Sequence, residues 1–285
     1  MSGQLLKLTH DLVFQELFGK QKNKDITAHL LSLILNRKIK NIDLDVNKRM
    51  LGNRKNSKTG RLDIRAKFND GEDCDIELQV EPFPFMDKRM LEYWSSMYNA
   101  KINSGDLYNV LKPSISILIT DYKVPKLNHI SKYHTKWNLR EEEFKDTILT
   151  DDIEMHILEI PKINDNEMLK DELVQWLRFI KEPENKGVEK FMKENKYLEQ
   201  AKKELEHLSG DPNFKRLLES RAGFLRDVDT KMYVSKEEGK KEGKKEGKQE
   251  EKEKIAKKLI KKGMSVEEIA DITELTKEEI EELKN

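Results

Sequence analysis

The chain has 285 residues, and its 54 lysine and arginine residues balance 54 aspartate and glutamate residues, so overall charge gives no argument for a polyanionic partner. No apolar run approaches the roughly 20 residues that a membrane span requires. A single cysteine excludes a disulfide framework and a multi-cysteine zinc site, and we expect a soluble protein in a reducing cytoplasm.

Two amphipathic helices open the chain. Thr9 is the predicted N-cap of the first, which Gly19 ends, and the second is predicted over residues 25–36. A strand near residues 39–46 follows. The chain therefore starts with two helices before its first strand.

Residues 61–81 have the alternation of a β-hairpin. In the first run one face is apolar and the other charged, with Arg61, Asp63, Arg65 and Lys67 on the charged face. In the second run Cys74, Ile76, Leu78 and Val80 are apolar, and Asp73, Asp75, Glu77, Gln79 and Glu81 are polar. Cys74 is expected to fill the core, since free cysteine behaves mainly as a small buried hydrophobe.

The loop Asn69-Asp70-Gly71 sets the register of this hairpin. A three-residue loop with a positive φ at Gly71 keeps polar opposite polar, so Lys67 faces Asp73, Arg65 faces Asp75 and Asp63 faces Glu77. The last pair brings like charges together, which is destabilising. We therefore expect a cation between Asp63 and Glu77, and expect Glu77→Gln to stabilise the metal-free protein by about 0.5 kcal/mol.

Two interpretations of the acidic pair remain open from the pattern. Two carboxylates with neighbouring carbonyl oxygens form a hard oxygen site suited to Mg²⁺ or Mn²⁺. Alternatively, the polar face is solvated, and Arg61 and Arg65 satisfy Asp63 from either side.

The elements after the hairpin complete a mixed α/β domain. A helix is predicted over residues 86–103, with a methionine and tryptophan stripe facing the core, and strands over residues 114–120 and 152–160. His156, on the last strand, is expected to be packed and hydrogen-bonded. The domain should end near residue 165.

Beyond that point only helices are predicted. They span residues 165–181, 185–208 and 213–228. The tail then places Gly239, Gly243 and Gly247 four residues apart, which indicates either a helix with a glycine stripe that a second helix can approach, or a solvated linker.

Charge is unevenly distributed over the tail. Residues 231–263 hold thirteen basic and seven acidic groups, and residues 264–285 hold two basic and eight acidic groups. Ser265 with Glu268 and Thr276 with Glu279 are predicted capping boxes of two short terminal helices. These resemble a helix-turn-helix, but the acidic last helix would repel phosphate, so dimerisation is favoured over DNA reading.

The hairpin resembles the core of the PD-(D/E)XK nuclease superfamily, and the chain more closely resembles the Rpn-type recombination-promoting nucleases, also described as putative transposases. The matching residues are Asp11, Phe14, Gln15 and Phe18, then Asp63, then Glu77 and Gln79, and then Arg89 and Tyr93. The resemblance implies a mixed-sheet α/β, restriction-endonuclease-like αβββαβ core followed by an all-helical C-terminal region. Predicted domains are a nuclease-like domain at 1–165, a helical region at 166–230 and a charged oligomerisation module at 231–285.

The resemblance also implies a metal-dependent DNA endonuclease linked to recombination or mobile DNA. Asp63, Glu77 and the main-chain carbonyl of Leu78 would bind Mg²⁺ or Mn²⁺, and Gln79 would position the attacking water. Lys88, Arg89 and Tyr93 would contact the DNA backbone. Gln15 and Gln79 stand where lysines are usual in the family and the superfamily, respectively. The alternative is a catalytically inactive nuclease-fold protein that interacts through oligomerisation of residues 231–285.

Overall fold

The computed structural model describes residues 4–46, 64–164, 171–192 and 194–284. Contacts within the chain divide it into one unit that ends at Phe214 and a second that begins at Lys215. The predicted domain limits near residues 165 and 230 stay predictions.

The first unit opens with two helices, as predicted, and contains one strand that was not predicted, over residues 134–140. Its elements are α1 (Asp11–Phe18), α2 (Lys24–Leu35), β1 (Ile42–Val46), β2 (Ile64–Phe68), β3 (Asp73–Gln79), α3 (Met86–Asn99), β4 (Ser114–Thr120), β5 (His134–Arg140), β6 (Ile148–Glu159), α4 (Glu172–Lys181), α5 (Lys186–Met192) and α6 (Lys196–Gly210). The αβββαβ order predicted for the first 120 residues is confirmed, with a second helix before β1.

The described strands form one six-stranded sheet in the order β1-β2-β3-β4-β6-β5. β1, β2 and β3 are antiparallel neighbours, whereas β3, β4 and β6 run parallel, and β5 closes the other edge antiparallel to β6. Parallel neighbours end at the same edge of a sheet. The end of β3 therefore lies beside the end of β4.

The predicted hairpin register is confirmed for the described rungs. Arg65 lies opposite Asp75 and Lys67 opposite Asp73. Gly71 has a φ of 89°, the left-handed conformation that the loop requires. The Asp63–Glu77 rung falls outside the described residues.

The core lies along the apolar face of the sheet and in the helices. Ile64, Ala66, Cys74, Ile76 and Ile117 have no exposed surface. Burial raises the pKa of the Cys74 thiol well above its usual value, so this cysteine is a neutral core side chain, as predicted.

Aromatic side chains join α1 to α4. The Phe18 ring lies 4.9 Å from Phe14 and 6.0 Å from Trp176, between ring centroids. Trp176 and Phe179 are fully buried. These aromatic contacts hold the N-terminal helix against the helical region that follows the sheet.

Helix α3 is fastened to the sheet through Trp94 and Tyr98. The Trp94 indole Nε1 donates to the main-chain oxygen of Ser114 at 2.8 Å and to that of Asp152 at 3.3 Å. Tyr98 stacks on Trp94 and donates to the Asp152 carboxylate at 2.7 Å. The helix is thereby tied to both β4 and β6.

Two local predictions were wrong. The N-cap of α1 is His10, which makes no side-chain capping bond, and not Thr9. The helix predicted over residues 185–208 is two helices, because Asn195 caps a new helix by accepting from the main-chain nitrogens of Tyr197 and Leu198.

The second unit is helical, and its tail is a helix rather than a linker. α7 (Pro212–Lys261) is followed by α8 (Val266–Thr273) and α9 (Lys277–Glu282), and both predicted capping boxes are present. Ala256, Ile269, Leu275 and Ile280 form a small core where α8 and α9 fold back on the end of α7. No helix in the described part of the chain is long and apolar enough to cross a membrane.

Candidate active site

Three acidic side chains lie in a row on one face of β3. Asp73, Asp75 and Glu77 are only 4%, 1% and 2% exposed. The alternative of a solvated polar face was wrong for β3, because side chains of α3 and of the segment after it cover the row. Carboxylates so deeply buried require cations or hydrogen-bond donors beside them.

Asp73, at the start of the row, is neutralised by two cations. The Arg65 guanidinium donates to the Asp73 carboxylate at 2.7 Å, and the Lys101 ammonium lies 3.6 Å from the same oxygen. Arg65 faces Asp75 in the register but reaches diagonally to Asp73, while Lys67 is exposed. Arg65 therefore forms a diagonal ion pair with Asp73.

Lys101 also binds the start of β4. Its ammonium donates to the main-chain oxygens of Lys112 and Pro113 at 2.8 and 2.7 Å and to the Ser114 hydroxyl at 3.0 Å. Burial lowers the pKa of Lys101 while the charge of Asp73 opposes that shift. With so many bonds, Lys101 is a structural group.

Glu77, near the end of β3, has a different environment. The Arg89 guanidinium from α3 forms an ion pair with Glu77 Oε1. The Gln79 side-chain amide donates to the same oxygen at 2.9 Å. Arg89 is thus a cation beside Glu77. The cation predicted between Asp63 and Glu77 stays a prediction, because Asp63 lies outside the described residues.

Arg89 is held from its other side by aromatic rings. Its Nε donates to the Tyr93 hydroxyl at 2.8 Å, one helical turn along α3. The guanidinium lies 5.1 Å from the centroids of both Phe83 and Tyr93, within the range of cation–π attraction. Arg89 therefore connects the exposed side of α3 to the buried acid.

Tyr93 is a neutral member of this group. It is 4% exposed, and burial raises its pKa to about 12 although the charge of Arg89 opposes the shift. The charges of Glu77 and Asp75 act in the same direction as burial. The phenol therefore keeps its proton at neutral pH.

Tyr122 was not predicted from the sequence. Burial raises its pKa, a hydrogen bond with the Phe83 main chain opposes the shift, and the charge of Glu77 adds to it. Tyr122 follows β4, whose Thr120 pairs with Gln79. The rule that parallel strands end at one edge could have found it, since two predicted strands end there.

The remaining predicted site residues are placed as follows. Lys88 is exposed, with its ammonium 5.3 Å from the Phe85 ring centroid. The Leu78 side chain is buried, and its carbonyl stays a predicted ligand. Asp63 lies outside the described residues. Within the described ranges no three His, Cys, Asp or Glu side chains are grouped to hold a metal.

A second polar cluster lies on β5 and β6. His156 is buried, and its ring nitrogens lie 2.7 Å from His134 Nε2 and 2.6 Å from Glu154 Oε1, which confirms that it is packed and hydrogen-bonded. Lys136 pairs with Glu154 at 2.9 Å. The sequence missed this cluster because β5 was not predicted.

The two pKa shifts in this cluster have separate causes. Burial lowers the pKa of His134 to about 4, helped by the charge of His156. Burial opposes ionisation of Glu154, but bonds from His156 and Lys136 outweigh it and lower its pKa to about 2. The cluster therefore favours an ionised Glu154 on one side of His156 and a neutral His134 on the other.

Comparisons with known proteins identify the family. A family model described as PD-(D/E)XK nuclease family transposase matches residues 8–237. Searches of curated proteins and of solved structures found no match. The match covers most of the chain and includes β3 with Glu77 and α3 with Arg89, so the chain belongs to the PD-(D/E)XK nuclease family transposases.

Proposed function

We propose that this protein is a metal-dependent endonuclease that hydrolyses DNA phosphodiester bonds. The family supports a nuclease linked to mobile DNA. The observation that carries the finer proposal is Glu77, a buried carboxylate on β3 that contacts both Gln79 and Arg89. A buried carboxylate with an amide and a cation at one of its oxygens is more typical of a hydrolytic site than of a structural ion pair, which usually lies on the surface.

The donor set fits a hard divalent cation. Asp63, Glu77 and the carbonyl of Leu78 would hold Mg²⁺ or Mn²⁺, which prefer oxygen ligands. When bound, the ion would polarise the scissile phosphate and lower the pKa of a bound water. Gln79, beside Glu77, can orient that water through its amide but cannot accept its proton as a base.

Residues of α3 would bind the DNA backbone. Arg89 can pair with a phosphate in a two-bond geometry, and Tyr93, with its proton retained, can donate a hydrogen bond. Lys88 is exposed one residue away and would add a charge contact. Such contacts position a duplex without reading its sequence.

Cleavage of plasmid DNA tests this function. We expect nicking or linearisation with Mg²⁺ or Mn²⁺, no cleavage with EDTA, and loss of cleavage in Asp63→Ala and Glu77→Ala. Asp43→Ala is the matched control, because Asp43 is an exposed carboxylate on β1. Equal cleavage by wild type and both site variants would indicate contamination, and a folded, inactive wild type would favour the interaction-protein alternative.

We also propose that residues 231–285 mediate self-association. Met232, Tyr233 and Val234 are 67%, 66% and 47% exposed on α7. A Cβ placed on Gly239, Gly243 or Gly247 would meet nothing within 4 Å. A helix with exposed apolar side chains and glycines gains little stability alone, so a second copy is the proposed partner.

A further inference from the structure

We infer that Arg89 makes metal binding and nucleic-acid binding depend on each other. The inference rests on the proposed function and extends it. Arg89 is the counter-ion of Glu77 when no metal is bound. When the metal binds, Arg89 would pair with a DNA phosphate instead. The protein would then bind its metal weakly alone and more tightly with substrate.

The first step is the state without metal. Glu77 is 2% exposed, so its charge has little access to water and depends on nearby donors. Arg89 and Gln79 both contact Oε1. Arg89 is therefore part of the stable environment of this acid and not an incidental surface pair.

The second step is the conflict with a divalent cation. A metal held by Glu77 would lie within a few ångströms of the guanidinium that shares the carboxylate. Two cations so close repel strongly where water is scarce. Metal binding must therefore displace Arg89 or proceed against its charge.

The third step is the release of that conflict by phosphate. The Arg89 side chain is 26% exposed, so a ligand can reach it from outside the sheet. A phosphate carries negative charge and accepts the paired bonds that guanidinium donates. Placed between metal and guanidinium, it would replace a repulsion by two attractions.

Tyr93 holds one nitrogen of Arg89 during this exchange. Its hydroxyl accepts from Arg89 Nε, whereas a terminal nitrogen of Arg89 contacts Glu77. The planar guanidinium would pivot as one unit about this bond, which would turn its terminal nitrogens from Glu77 toward a phosphate. Arg89 would thus contact Glu77 without substrate and the phosphate with it.

Linkage defines the test, because a coupling between two ligands acts equally in both directions. Calorimetry measures the binding of Mn²⁺ to the full chain. The titration is made with and without a short DNA duplex that has phosphorothioate linkages. The heat of Mn²⁺ binding to the DNA alone is subtracted. We expect the duplex to tighten Mn²⁺ binding to wild type by about tenfold, within the usual range of allosteric coupling.

The variants separate the role of Arg89 from general charge. Arg89→Gln should bind Mn²⁺ about tenfold more tightly than wild type without DNA, and the duplex should then change its affinity by less than about twofold. Lys126→Gln removes one positive charge from an exposed pair with Asp87 and should behave as wild type. Tyr93→Phe, a milder variant, should shift Mn²⁺ affinity in the direction of Arg89→Gln.

Two results would overturn the inference in distinguishable ways. Metal binding that depends on Glu77 but is equal in wild type, Arg89→Gln and Tyr93→Phe, with the same response to DNA, would remove the role of Arg89 and leave the metal site standing. No Mn²⁺ binding to folded wild type, with or without DNA, would remove both this inference and the proposed function. Thermal melting of each variant confirms that it is folded.

Discussion

Glu77 illustrates how a single contact changes an expectation. From the hairpin alone, Glu77→Gln should relieve repulsion by Asp63. The structure adds the ion pair of Glu77 with Arg89. A glutamine at position 77 would remove the negative charge that pairs with the partly buried Arg89 guanidinium. The expected sign is thereby reversed.

We now expect Glu77→Gln to lower the free energy of unfolding of the metal-free protein by about 1–3 kcal/mol. Urea denaturation without divalent ions measures this, and Glu81→Gln, at an exposed position after β3, should change stability by less than about 0.5 kcal/mol. A stabilised Glu77→Gln would mean that repulsion by Asp63 outweighs the pair with Arg89.

The histidine cluster predicts a pH dependence of stability. Because the folded pKa of His134 is lowered to about 4, the unfolded chain binds this proton at higher pH than the folded chain. The free energy of unfolding is therefore unaffected by the titration of His134 above pH 6.5, and it falls as the pH decreases from about 6.5 to about 4. The low pKa of Glu154 acts in a lower window, from its usual 4.5 down to about 2.

His134→Gln should therefore flatten the decrease in stability between pH 6.5 and pH 4. Melting temperatures of wild type and variant across that range measure the difference, with His129→Gln as an exposed control. Parallel profiles for wild type and His134→Gln would show that His134 titrates normally in the folded protein.

The sequence was informative about the strand face on which a side chain lies and less so about the partners of that side chain. Alternation placed Glu77 and Gln79 on one strand face, and the structure brings them into contact. The pairing of Arg89 with Glu77 joins α3 to β3 across the sheet face. A periodic pattern specifies the face of each element but not the distance between side chains on two elements.

At the scale of elements, the β2–β3 hairpin depends on its turn. Gly71 has a φ of 89°, and a Cβ there would lie 3.2 Å from Lys112 Cγ. Gly71→Ala should therefore destabilise the protein by about 1–2 kcal/mol through backbone strain. The close contact with Lys112 would add to this cost.

Gly105→Ala is the matched comparison. Gly105 has a φ of 94°, but a Cβ there would meet nothing within 4 Å, so only strain contributes. Urea denaturation of both variants should find Gly71→Ala less stable than Gly105→Ala. Equal losses would mean that Lys112 moves away without cost.

Strong local patterns identified most elements. The run Ser114–Thr120 was predicted with its observed limits, because an apolar segment of that length is typical of an interior strand. β5 was missed because His134–Arg140 lies at the sheet edge, where its mostly polar residues face solvent and no alternation is required. Edge strands are defined by their neighbour, which for β5 is β6.

At the scale of the whole molecule, the open question is whether the tail, residues 231–285, binds a second copy of the chain. Within the chain Gly239, Gly243 and Gly247 on α7 face open space. If they remain solvent-exposed, Gly243→Ala should stabilise the helix by about 1 kcal/mol. If they form an interface, an added methyl group would separate the two helices and weaken association.

We expect the second result. Light scattering should find the intact chain at least dimeric, deletion of residues 231–285 should give a monomer, and Gly243→Ala should dissociate at higher protein concentration than wild type. Lys240→Ala, which alters a neighbouring exposed position, is the control. A monomeric wild type at tens of micromolar would leave the tail as a segment for another partner.

Charge counts could not settle the state of the tail. The spacing of Gly239, Gly243 and Gly247 was consistent with a glycine-striped helix and with a solvated linker, and both are weak local signals. The terminal helices were predictable because their capping boxes join residues only three positions apart. Self-association depends on a second chain, which no local signal specifies.

The attachment of α3 to the sheet makes Trp94 a fluorescent probe close to the candidate site. Trp94 is next to Tyr93 and donates to main-chain oxygens of β4 and β6. Any shift of α3 that accompanies movement of Arg89 would alter those bonds and the stacking of Trp94 on Tyr98. Since indole emission responds to its hydrogen bonds and its ring neighbours, a shift of α3 should change the emission of Trp94, and intrinsic fluorescence can detect that change without an attached dye.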